Sequence, residues 1–590
     1  METSNNTIEI WGGLECTINR VNDSYFDQLE YAGHYDRDGD IGLIASLGIK
    51  TLRYPVIWER HQPEPGAEID WRCTETKLQQ IRESGMTIIA GLVHHGSGPR
   101  HVNFFDGSFE EGLADYAAQV ARKFPWISHY TPVNEPLTTA RFCGLYGHWY
   151  PHFQDELSFY KILMSECKAT VLAMRAIRKI NPKAELIQTD DLGKSYGTPV
   201  LRYQTEHENE RRWLSYELIC GTLTPEHNMW KRMVEAGVDP EQLRYFQENN
   251  CKPAIAGFNY YMTSERHLDE NLHKYDPKTH GGNGIHEYSD VEVARVRLDE
   301  PTGPGVLIRE AWERLGLPMT ITECHLYSTR EEQMRWLKQM LETTALLRSE
   351  GVDIRAVTVW ALLGLYGWNE LVTQPWGVYE AGVFDVSNNQ LRPTALAKMI
   401  EAHNAGLTFA HPVLGRKGWW QRDGRLLSSW RDDSLEPTPE TESDCQPVLI
   451  LDECGDFANA AREICQNRNI RFVTIGKAGG QQFSEMQIKR LDPWAVLHCP
   501  SEDTNQALQE QELRNLAEWC GKLGARYMIW KSQVDWSMCA NALAVNPETL
   551  VLSASPQHTS QMLEEAFNML LDGVAGLHDL EVETLMEHAS

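Results

Sequence analysis

Two glutamates, each at the end of a short run of strand-forming residues, are the side chains that point most directly to chemistry. Glu135 ends the run Tyr130-Thr-Pro-Val-Asn-Glu, and Glu323 ends the run Met319-Thr-Ile-Thr-Glu. Cleavage of a glycosidic bond needs such a pair, because one carboxylic acid protonates the departing oxygen while the other carboxylate attacks the anomeric carbon. A retaining enzyme holds the two groups about 5 to 5.5 Å apart. The two runs predict such a pair if the fold brings them together.

A (β/α)8 barrel is the fold that would do so, because the carboxyl ends of its strands converge on one rim. From residue 7 to about 406, short β-branched runs alternate with amphipathic stretches such as Leu157–Ile180 and Arg330–Glu350, which predict helices. Periodicity alone also allows a doubly wound sheet. The eight predicted strands are Ile8–Gly13, Thr51–Val56, Met86–His94, Ile127–Val133, Glu185–Thr189, Ile255–Tyr261, Met319–Glu323 and Ala356–Leu363.

Other polar and aromatic residues stand at the same predicted strand ends. In chain order they are Arg53 in Leu-Arg-Tyr-Pro, His94 in Leu-Val-His-His, Asn134 in Asn-Glu-Pro, Asn259 and Tyr261 in Gly-Phe-Asn-Tyr-Tyr, Glu323 in Ile-Thr-Glu, and Trp360. With these motifs in this order, residues 7 to about 406 resemble glycoside hydrolase family 1. The resemblance implies a TIM barrel and a retaining β-glycosidase that forms a covalent glycosyl-enzyme.

The resemblance also implies a role for each residue. Glu135 would be the acid/base and Glu323 the nucleophile, and Arg53 and Tyr261 would contact the nucleophile. The remaining residues are expected to bind the sugar: His94, Asn134 at the 2-hydroxyl, Asn259, and Trp360 as the floor under the ring. The mechanism requires a raised pKa for the acid/base and an ionised nucleophile.

The sequence departs from the family where the sugar should be recognised. Gly367, before Trp368, stands where the family has a glutamate that holds the sugar 4- and 6-hydroxyls, unless Asn369 or Glu370 replaces it. The glutamine of strand one is also missing. Its nearest candidates are Glu15 and Asn19, and the pattern does not choose between them; Glu15 and Trp368 complete the candidate substrate-binding set. After the nucleophile, Glu-Asn-Gly is replaced by Glu-Cys-His325. These changes predict an intact catalytic pair with altered sugar recognition.

Composition limits the alternatives. A net charge of −28 argues against nucleic acid and anionic membranes as partners, and a neutral carbohydrate substrate fits better. The 13 cysteines show no CxxC pair or metal-ligand spacing, so we expect reduced thiols, no metal and no cofactor. The N-terminus lacks a basic start followed by an apolar region, and no long apolar run occurs, which predicts a cytoplasmic protein. Homo-oligomerisation stays open.

A chain of 590 residues is long enough for a second domain. We predict a glycosidase domain over residues 1–410, a linker over 411–447 rich in Trp, Asp, Ser and Pro, and an open, Rossmann-like α/β domain over 448–590. Five strands are expected in this last part: Val448–Leu451, Arg471–Ile475, Ala495–His498, Arg526–Ile529 and Leu550–Ser553.

This C-terminal part resembles sugar-nucleotide proteins of the dTDP-4-dehydrorhamnose reductase type, in the runs Pro493-Trp-Ala-Val and Ala544-Val-Asn-Pro-Glu-Thr-Leu-Val. Where a glycine-rich turn should follow the first strand, the chain has Asp452, Glu453 and Asp456 around a single glycine. Three carboxylates would repel a pyrophosphate, so the nucleotide fingerprint is degenerate.

Three other functions compete with hydrolysis. A transglycosidase would use the same intermediate with a sugar acceptor in place of water. A carbohydrate-binding pseudoenzyme would be expected to lack one carboxylate, yet both are present. A bifunctional glycosidase and sugar-nucleotide reductase would need the fingerprint that is degenerate here.

Overall fold

A computed structural model describes residues 7–580 of the chain, except for gaps at 375–376, 388–390, 431–444, 478–482, 502–504, 532–535 and 555–558. A closed barrel of eight parallel strands forms the first part of the chain. Each strand pairs with its neighbours in the sequence, and the last pairs with the first. The strands are β1 (Glu9–Gly13), β2 (Thr51–Pro55), β3 (Thr87–His94), β4 (His129–Asn134), β5 (Glu185–Asp191), β6 (Ile255–Tyr260), β7 (Met319–Cys324) and β8 (Ile354–Val359).

All eight predicted barrel strands are confirmed, and closure excludes the doubly wound alternative. Strands β6 and β7 are buried along their whole length, as expected for strands that have the barrel interior on one side and helices on the other. Inside the barrel, side chains from five of the eight strands form one apolar cluster: Trp11, Ile89, Ile187, Ile255 and Ala356. Only β8 differs from its prediction by more than two residues, because it ends at Val359.

The barrel strands are followed by helices on the outside. The predicted Leu157–Ile180 is observed as Glu156–Arg178, and Arg330–Glu350 as Arg330–Ser349. The other α-helices of this part are Gln28–Tyr31, Asp40–Ser46, Trp58–His61, Arg72–Glu83, Ser108–Lys123, Pro136–Ala140, Arg202–Arg211, Leu214–Cys220, Asn228–Glu235, Pro240–Glu248, Pro304–Leu315 and Ala395–Asn404.

Short strands outside the barrel form small additional sheets. A four-stranded sheet consists of His280–Gly282, Glu287–Glu292, Glu265–Asp269 and Lys194–Gly197. Three two-stranded pairs join Ile18–Val21 to Ser24–Asp27, Leu365–Tyr366 to Tyr379–Glu380, and Phe384–Asp385 to Arg392–Pro393. Residues from two of these sheets line a cavity at the carboxyl rim of the barrel.

The second part of the chain is an open, all-parallel sheet in the order β10-β9-β11-β12-β13-β14. Its strands are β9 (Val448–Asp452), β10 (Phe472–Gly476), β11 (Ala495–His498), β12 (Arg526–Lys531), β13 (Leu550–Ala554) and β14 (Gly576–Leu580). Its helices are Gly455–Asn467, Glu485–Leu491, Gln506–Leu523, Trp536–Val545 and Thr559–Asp572.

The α/β class predicted for this second part is confirmed, and its first five strands match their predictions. The sixth strand, β14, was not predicted. It lies at the sheet edge and none of its residues is fully buried, so the sequence lacks the apolar run that identifies an interior strand.

Buried ion pairs join the second sheet and its helices to the barrel. Arg468 lies 2.5 Å from Glu331 on the helix that follows β7, and both side chains are at most 3% exposed. Asp572 lies 2.9 Å from Arg330 on the same helix and 2.8 Å from Arg392. Between the two parts, residues 412–430 form short 3-10 turns. The domain limits at 410 and 447 stay a prediction.

Within the part of the chain that the structure describes, no helix combines the length and the apolar character that crossing a bilayer requires.

Candidate active site

The carboxylate of Glu323 lies at the carboxyl end of β7 and is 2% exposed. Its Oε1 accepts a hydrogen bond from Arg53 at 3.1 Å, and its Oε2 accepts one from the Tyr261 hydroxyl at 2.5 Å. Burial raises the pKa of Glu323 to about 7, although the positive charge of Arg53 acts in the opposite direction. The two donors stabilise the ionised form, which is the form that a nucleophile needs.

Glu135 follows β4 directly, and the helix Pro136–Ala140 begins after it. Its backbone is left-handed, with φ 47° and ψ 61°, a conformation that costs a residue with a Cβ atom about 1 to 2 kcal/mol. Its Oε1 accepts a hydrogen bond from Asn259 at 2.7 Å, and its Oε2 lies 3.6 Å from His95 Nε2.

Burial raises the pKa of Glu135 well above its usual value, and the negative charge of Glu323 raises it further. His95 is not a cation at neutral pH, because burial lowers its pKa to about 3. No described Lys or Arg side chain forms an ion pair with Glu135. When the two carboxyl groups share one proton, the ion pair with Arg53 therefore favours Glu323 as the anion and Glu135 as the acid.

A layer of buried polar groups connects the two glutamates. Asn134 accepts hydrogen bonds from Arg53 at 2.9 Å and Thr189 at 2.8 Å, and its amide nitrogen lies 3.2 Å from His94 Nε2. Parallel register explains the arrangement, since His94 of β3 pairs with Asn134 of β4. On the other side, Asn259 of β6 pairs with Glu323 of β7 and donates to Glu135.

Trp360 lies one residue after β8, under this layer. Its ring stacks on His94 at 5.5 Å with an interplanar angle of 10°, and the Arg53 guanidinium lies 5.0 Å from it. Its indole nitrogen donates to Glu15 at 3.0 Å. Of the two strand-one candidates, Glu15 faces the cavity, whereas Asn19 donates to the Val372 carbonyl at 3.0 Å.

These residues surround a cavity of about 750 Å³. All ten candidate residues named from the sequence lie at it or directly behind it. Those that line it are Glu15, Glu135, Tyr261, Glu323 and Trp368. Those behind it, in contact with the lining, are Arg53, His94, Asn134, Asn259 and Trp360.

The backbone explains why a glutamate is missing at Gly367. This residue has φ 71°, and a Cβ atom there would lie 3.3 Å from Gly377 Cα, because the amide of Gly367 donates to the Val378 carbonyl. Of the two replacements considered, Asn369 lines the cavity, whereas Glu370 is exposed and does not.

Sequence reasoning missed several lining residues, including His95, Asp191, Arg141, Arg211 and Glu380. His95 directly follows a candidate residue, and Asp191 is the last residue of β5, which the prediction ended at Thr189. An extension of β5 by two residues would have found Asp191. Glu380 is 5% exposed and lies 2.8 Å from His325 Nε2. No sequence motif identifies it.

A (β/α)8 barrel with two buried carboxylates on its carboxyl rim belongs to the class of barrel glycosidases. The family model of Glycosyl hydrolase family 1 matches residues 20–394, and the chain belongs to that family. It is therefore a glycoside hydrolase of the β-glucosidase-like type.

Curated relatives agree with this membership at low identity. The aryl-phospho-beta-D-glucosidase BglC of Bacillus subtilis is 22% identical over 381 residues, which cover 57% of this chain and 78% of the relative. Beta-glucosidase A of Thermotoga maritima is 20% identical over 378 residues, which cover 58% and 81%.

Solved structures show the same barrel. The beta-glucosidase of Thermotoga maritima in complex with deoxynojirimycin superposes with a TM-score of 0.54 at 16% identity and covers 68% of this chain and 98% of that one. The complex of the Thermotoga maritima enzyme with cyclophellitol gives a TM-score of 0.53 at 17% identity and covers 64% and 88%. At such identities the likeness establishes the fold alone.

Proposed function

We propose that the protein hydrolyses β-linked glycosides with retention of configuration, with Glu135 as the acid/base and Glu323 as the nucleophile. The observation that carries this proposal is the unequal environment of the two carboxyl groups. Glu323 has a cation and a hydroxyl as donors, whereas Glu135 is buried beside negative charges and has one neutral amide donor. Each group is thus favoured in the protonation state that its role requires.

In the first step, the Glu323 carboxylate attacks the anomeric carbon while Glu135 transfers its proton to the departing glycosidic oxygen. The bond from the sugar to the leaving group breaks and a covalent ester forms. Because Glu323 has now lost its negative charge, the pKa of Glu135 falls and its carboxylate can accept a proton from water. The water oxygen attacks the anomeric carbon, the ester breaks, and both carboxyl groups return to their starting states.

The remaining residues are proposed to position the sugar and the nucleophile. Arg53 and Tyr261 hold Glu323, and Trp360 forms the floor under the ring. The polar residues proposed to address sugar hydroxyls are His94, Asn134, Asn259 and Glu15, with Trp368 beside them on the cavity wall. Since the curated relatives are named as a beta-glucosidase and an aryl-phospho-beta-D-glucosidase, a β-glucoside is the first substrate class to test.

The competing functions receive less support. Transglycosylation would proceed through the same intermediate, with a sugar hydroxyl in the place of water. A pseudoenzyme that only binds carbohydrate would not need the charged partner that Glu323 has in Arg53. For residues 448–590 we propose a structural role without a dinucleotide, since carboxylates occupy the turn after β9.

The test is a panel of aryl β-glycosides followed by proton NMR of the first sugar released. We expect turnover of at least one β-glycoside and initial release of the β-anomer, which then mutarotates. Initial release of the α-anomer would show inversion and would contradict the proposed roles. Absence of turnover across the panel by folded protein would contradict the hydrolase proposal itself.

A further inference from the structure

Six Lys and Arg side chains line the active-site cavity, and four of them form ion pairs with carboxylates. The six are Arg141, Lys194, Arg211, Arg212, Arg266 and Arg295. The ion pairs are those of Lys194 and Arg212 with Glu310, of Arg266 with Asp290 at 2.7 Å, and of Arg295 with Glu292 at 3.3 Å. Arg141 and Arg211 form no ion pair with any residue in the described ranges. The cavity thus contains two cations without direct counterions.

Arg211 is the more unusual of the two. It is the last residue of the helix Arg202–Arg211 and is only 7% exposed. Its guanidinium carbon lies 5.8 Å from the centre of the Phe159 ring, and its side chain has no hydrogen bond to a described residue. A buried guanidinium is normally paired or hydrogen-bonded, because removal of its charge from water is unfavourable. Because Arg211 lines the cavity, a ligand in the cavity can supply the missing partner.

Arg141 lies close to the acid/base. It begins the π-helical turn Arg141–Leu145, which continues the short helix that starts after Glu135. The only hydrogen bond from its side chain to a described residue is a long one, 3.4 Å, to the Thr138 hydroxyl, and its Nε is buried without a partner. Asp190 and Asp191 influence it electrostatically, but neither carboxylate lies within 4 Å.

Both arginines lie in the segments that follow the barrel strands on the acid/base side: Arg141 follows β4, and Arg211 ends a helix that follows β5, the strand that pairs with β4. Glu135 gives its proton to the leaving oxygen, and Arg141 follows it by six residues through one continuous helical segment. The glycone side is lined instead by Glu15 and Trp368, beside Trp360. We propose that the aglycone half binds an oxyanion, a carboxylate or phosphate carried by the leaving group, through Arg211 and Arg141.

This inference rests on the proposed hydrolase function and names its substrate class: β-glycosides with an acidic aglycone. It differs from the neutral substrate expected from the net charge of −28. Net charge describes the whole surface, whereas recognition depends on the groups inside the cavity. An arginine is well suited to the task, because its planar guanidinium donates two parallel hydrogen bonds to a carboxylate or phosphate.

The test compares kcat/KM for 4-carboxyphenyl, 4-phosphophenyl and 4-carbamoylphenyl β-glucosides, which share one ring and differ in charge. We expect the wild-type enzyme to prefer an acidic aglycone over the carboxamide by tenfold or more. In Arg211→Met and Arg141→Met this ratio should fall by tenfold or more, and Arg211→Lys should retain part of it. A higher kcat/KM for the phosphate than for the carboxylate would identify phosphate as the preferred oxyanion.

A matched control removes a cation from the same cavity without changing its net charge. The double variant Arg266→Met/Asp290→Asn deletes an existing ion pair, so its acidic-to-neutral ratio should stay within twofold of the wild-type value. An equal ratio in wild type, Arg211→Met and Arg141→Met would overturn the inference. Comparison of ratios cancels the different leaving abilities of the three aglycones.

Binding is measured separately from turnover, so that the two proposals can fail independently. Calorimetric titration of the wild-type protein with 4-hydroxybenzoate and with 4-hydroxybenzamide needs neither activity nor a stable variant. We expect the benzoate to bind at least tenfold more tightly than the benzamide. Equal affinities would overturn the oxyanion site, whereas turnover of no glycoside together with preferential benzoate binding would overturn the hydrolase proposal alone.

Discussion

Glutamates lie at the carboxyl ends of the strands in both parallel sheets of this molecule, but their pKa values are shifted in opposite directions. On the barrel rim, Glu323 and Glu135 lie near Arg53 and two histidines. At the edge of the second sheet, Glu453 follows β9 and lies 2.8 Å from Lys477 Nζ and 2.8 Å from His498 Nε2. Both places are where ligands bind in parallel α/β folds.

The difference is how far each carboxylate is neutralised by its own neighbours. Burial raises the pKa of Glu135 well above its usual value. Glu453 is also partly buried, but hydrogen bonds from His498 and Lys477 outweigh this effect and lower its pKa to about 2. Glu453, His498 and Glu512 place potential metal ligands within 4.8 Å of one another, yet Lys477 lies 2.8 Å from both carboxylates and already supplies the positive charge.

Strand-end position alone is therefore a weak sign of function. A carboxylate that its own neighbours already pair, as Lys477 and His498 pair Glu453, stays ionised and has no proton to exchange. An unequal pair that opens into a cavity can do acid–base and nucleophilic chemistry. The barrel rim fits this second description and the edge of the second sheet fits the first.

The largest expected effect is that of Glu323→Ala. Loss of the nucleophile should lower kcat/KM by at least about 10⁴-fold, within the range seen when a covalent catalyst is removed. Because azide can enter the vacated space and attack from the same face, it should restore turnover and yield the α-glycosyl azide. Product NMR distinguishes the anomers, and a β-azide would contradict the geometry. As a control from the other sheet, Glu453→Ala should change kcat/KM less than twofold.

The pH dependence of kcat/KM should reveal the different pKa values of Glu323 and Glu135. Glu323 must be ionised to attack, and burial raises its pKa to about 7, so kcat/KM should fall about tenfold per unit as the pH drops below about 7. The alkaline limb should lie higher, where Glu135 loses the proton it must donate. Glu135→Gln should remove that limb when the leaving group needs no protonation. An acidic limb centred below pH 5 would contradict this assignment of the pair.

Much of the barrel and its catalytic constellation could be predicted from sequence, because both depend on local signals. The barrel strands are short runs with β-branched and aromatic residues; Glu135 directly follows one of them, β4, and Glu323 lies next to the last residue of another, β7. Glu380 gave no such signal, since its strand Tyr379–Glu380 is only two residues long and is positioned by pairing with Leu365–Tyr366. Two residues are too few to show a period.

For Arg211 the sequence pattern is misleading, whereas for Glu380 there is no pattern. The helix Arg202–Arg211 is rich in charged and polar residues and has no apolar stripe, which is typical of an exposed helix. The side chain of Arg211 lies against Phe159 of the helix Glu156–Arg178, which is remote in sequence. Side chains placed by such contacts are visible only in the folded structure.

Removal of the 6-hydroxyl from the glycone is expected to have a smaller effect on kcat/KM. Gly367 cannot hold this hydroxyl, and the nearby Glu380 already lies 2.8 Å from His325 Nε2, as Glu453 lies 2.8 Å from His498 Nε2. We expect aryl β-fucoside, which lacks the 6-hydroxyl, to react with a kcat/KM within about tenfold of that for aryl β-galactoside, since one hydrogen bond to a charged group contributes about 1.5 to 3 kcal/mol. A hundredfold preference for the galactoside that disappears in Glu380→Gln would identify Glu380 as the missing clamp.

The smallest effect is expected on addition of a dinucleotide, because we expect none to bind to the second sheet. Its order reverses between β9 and β11, and a pyrophosphate would normally sit at this point, on the N-terminus of the following helix. Here that helix, Gly455–Asn467, has Asp456 in its first turn, and Glu453 lies just before it. The carboxylates would repel the phosphates, and Lys477 is already paired with Glu453 and Glu512. Calorimetric titration of the full chain with NADH and with NADPH should therefore show no heat of binding, and neither dinucleotide should shift the melting temperature. A micromolar dissociation constant would instead mean that a ligand displaces the internal partners of Glu453 and that the carboxyl ends of these strands form a second site.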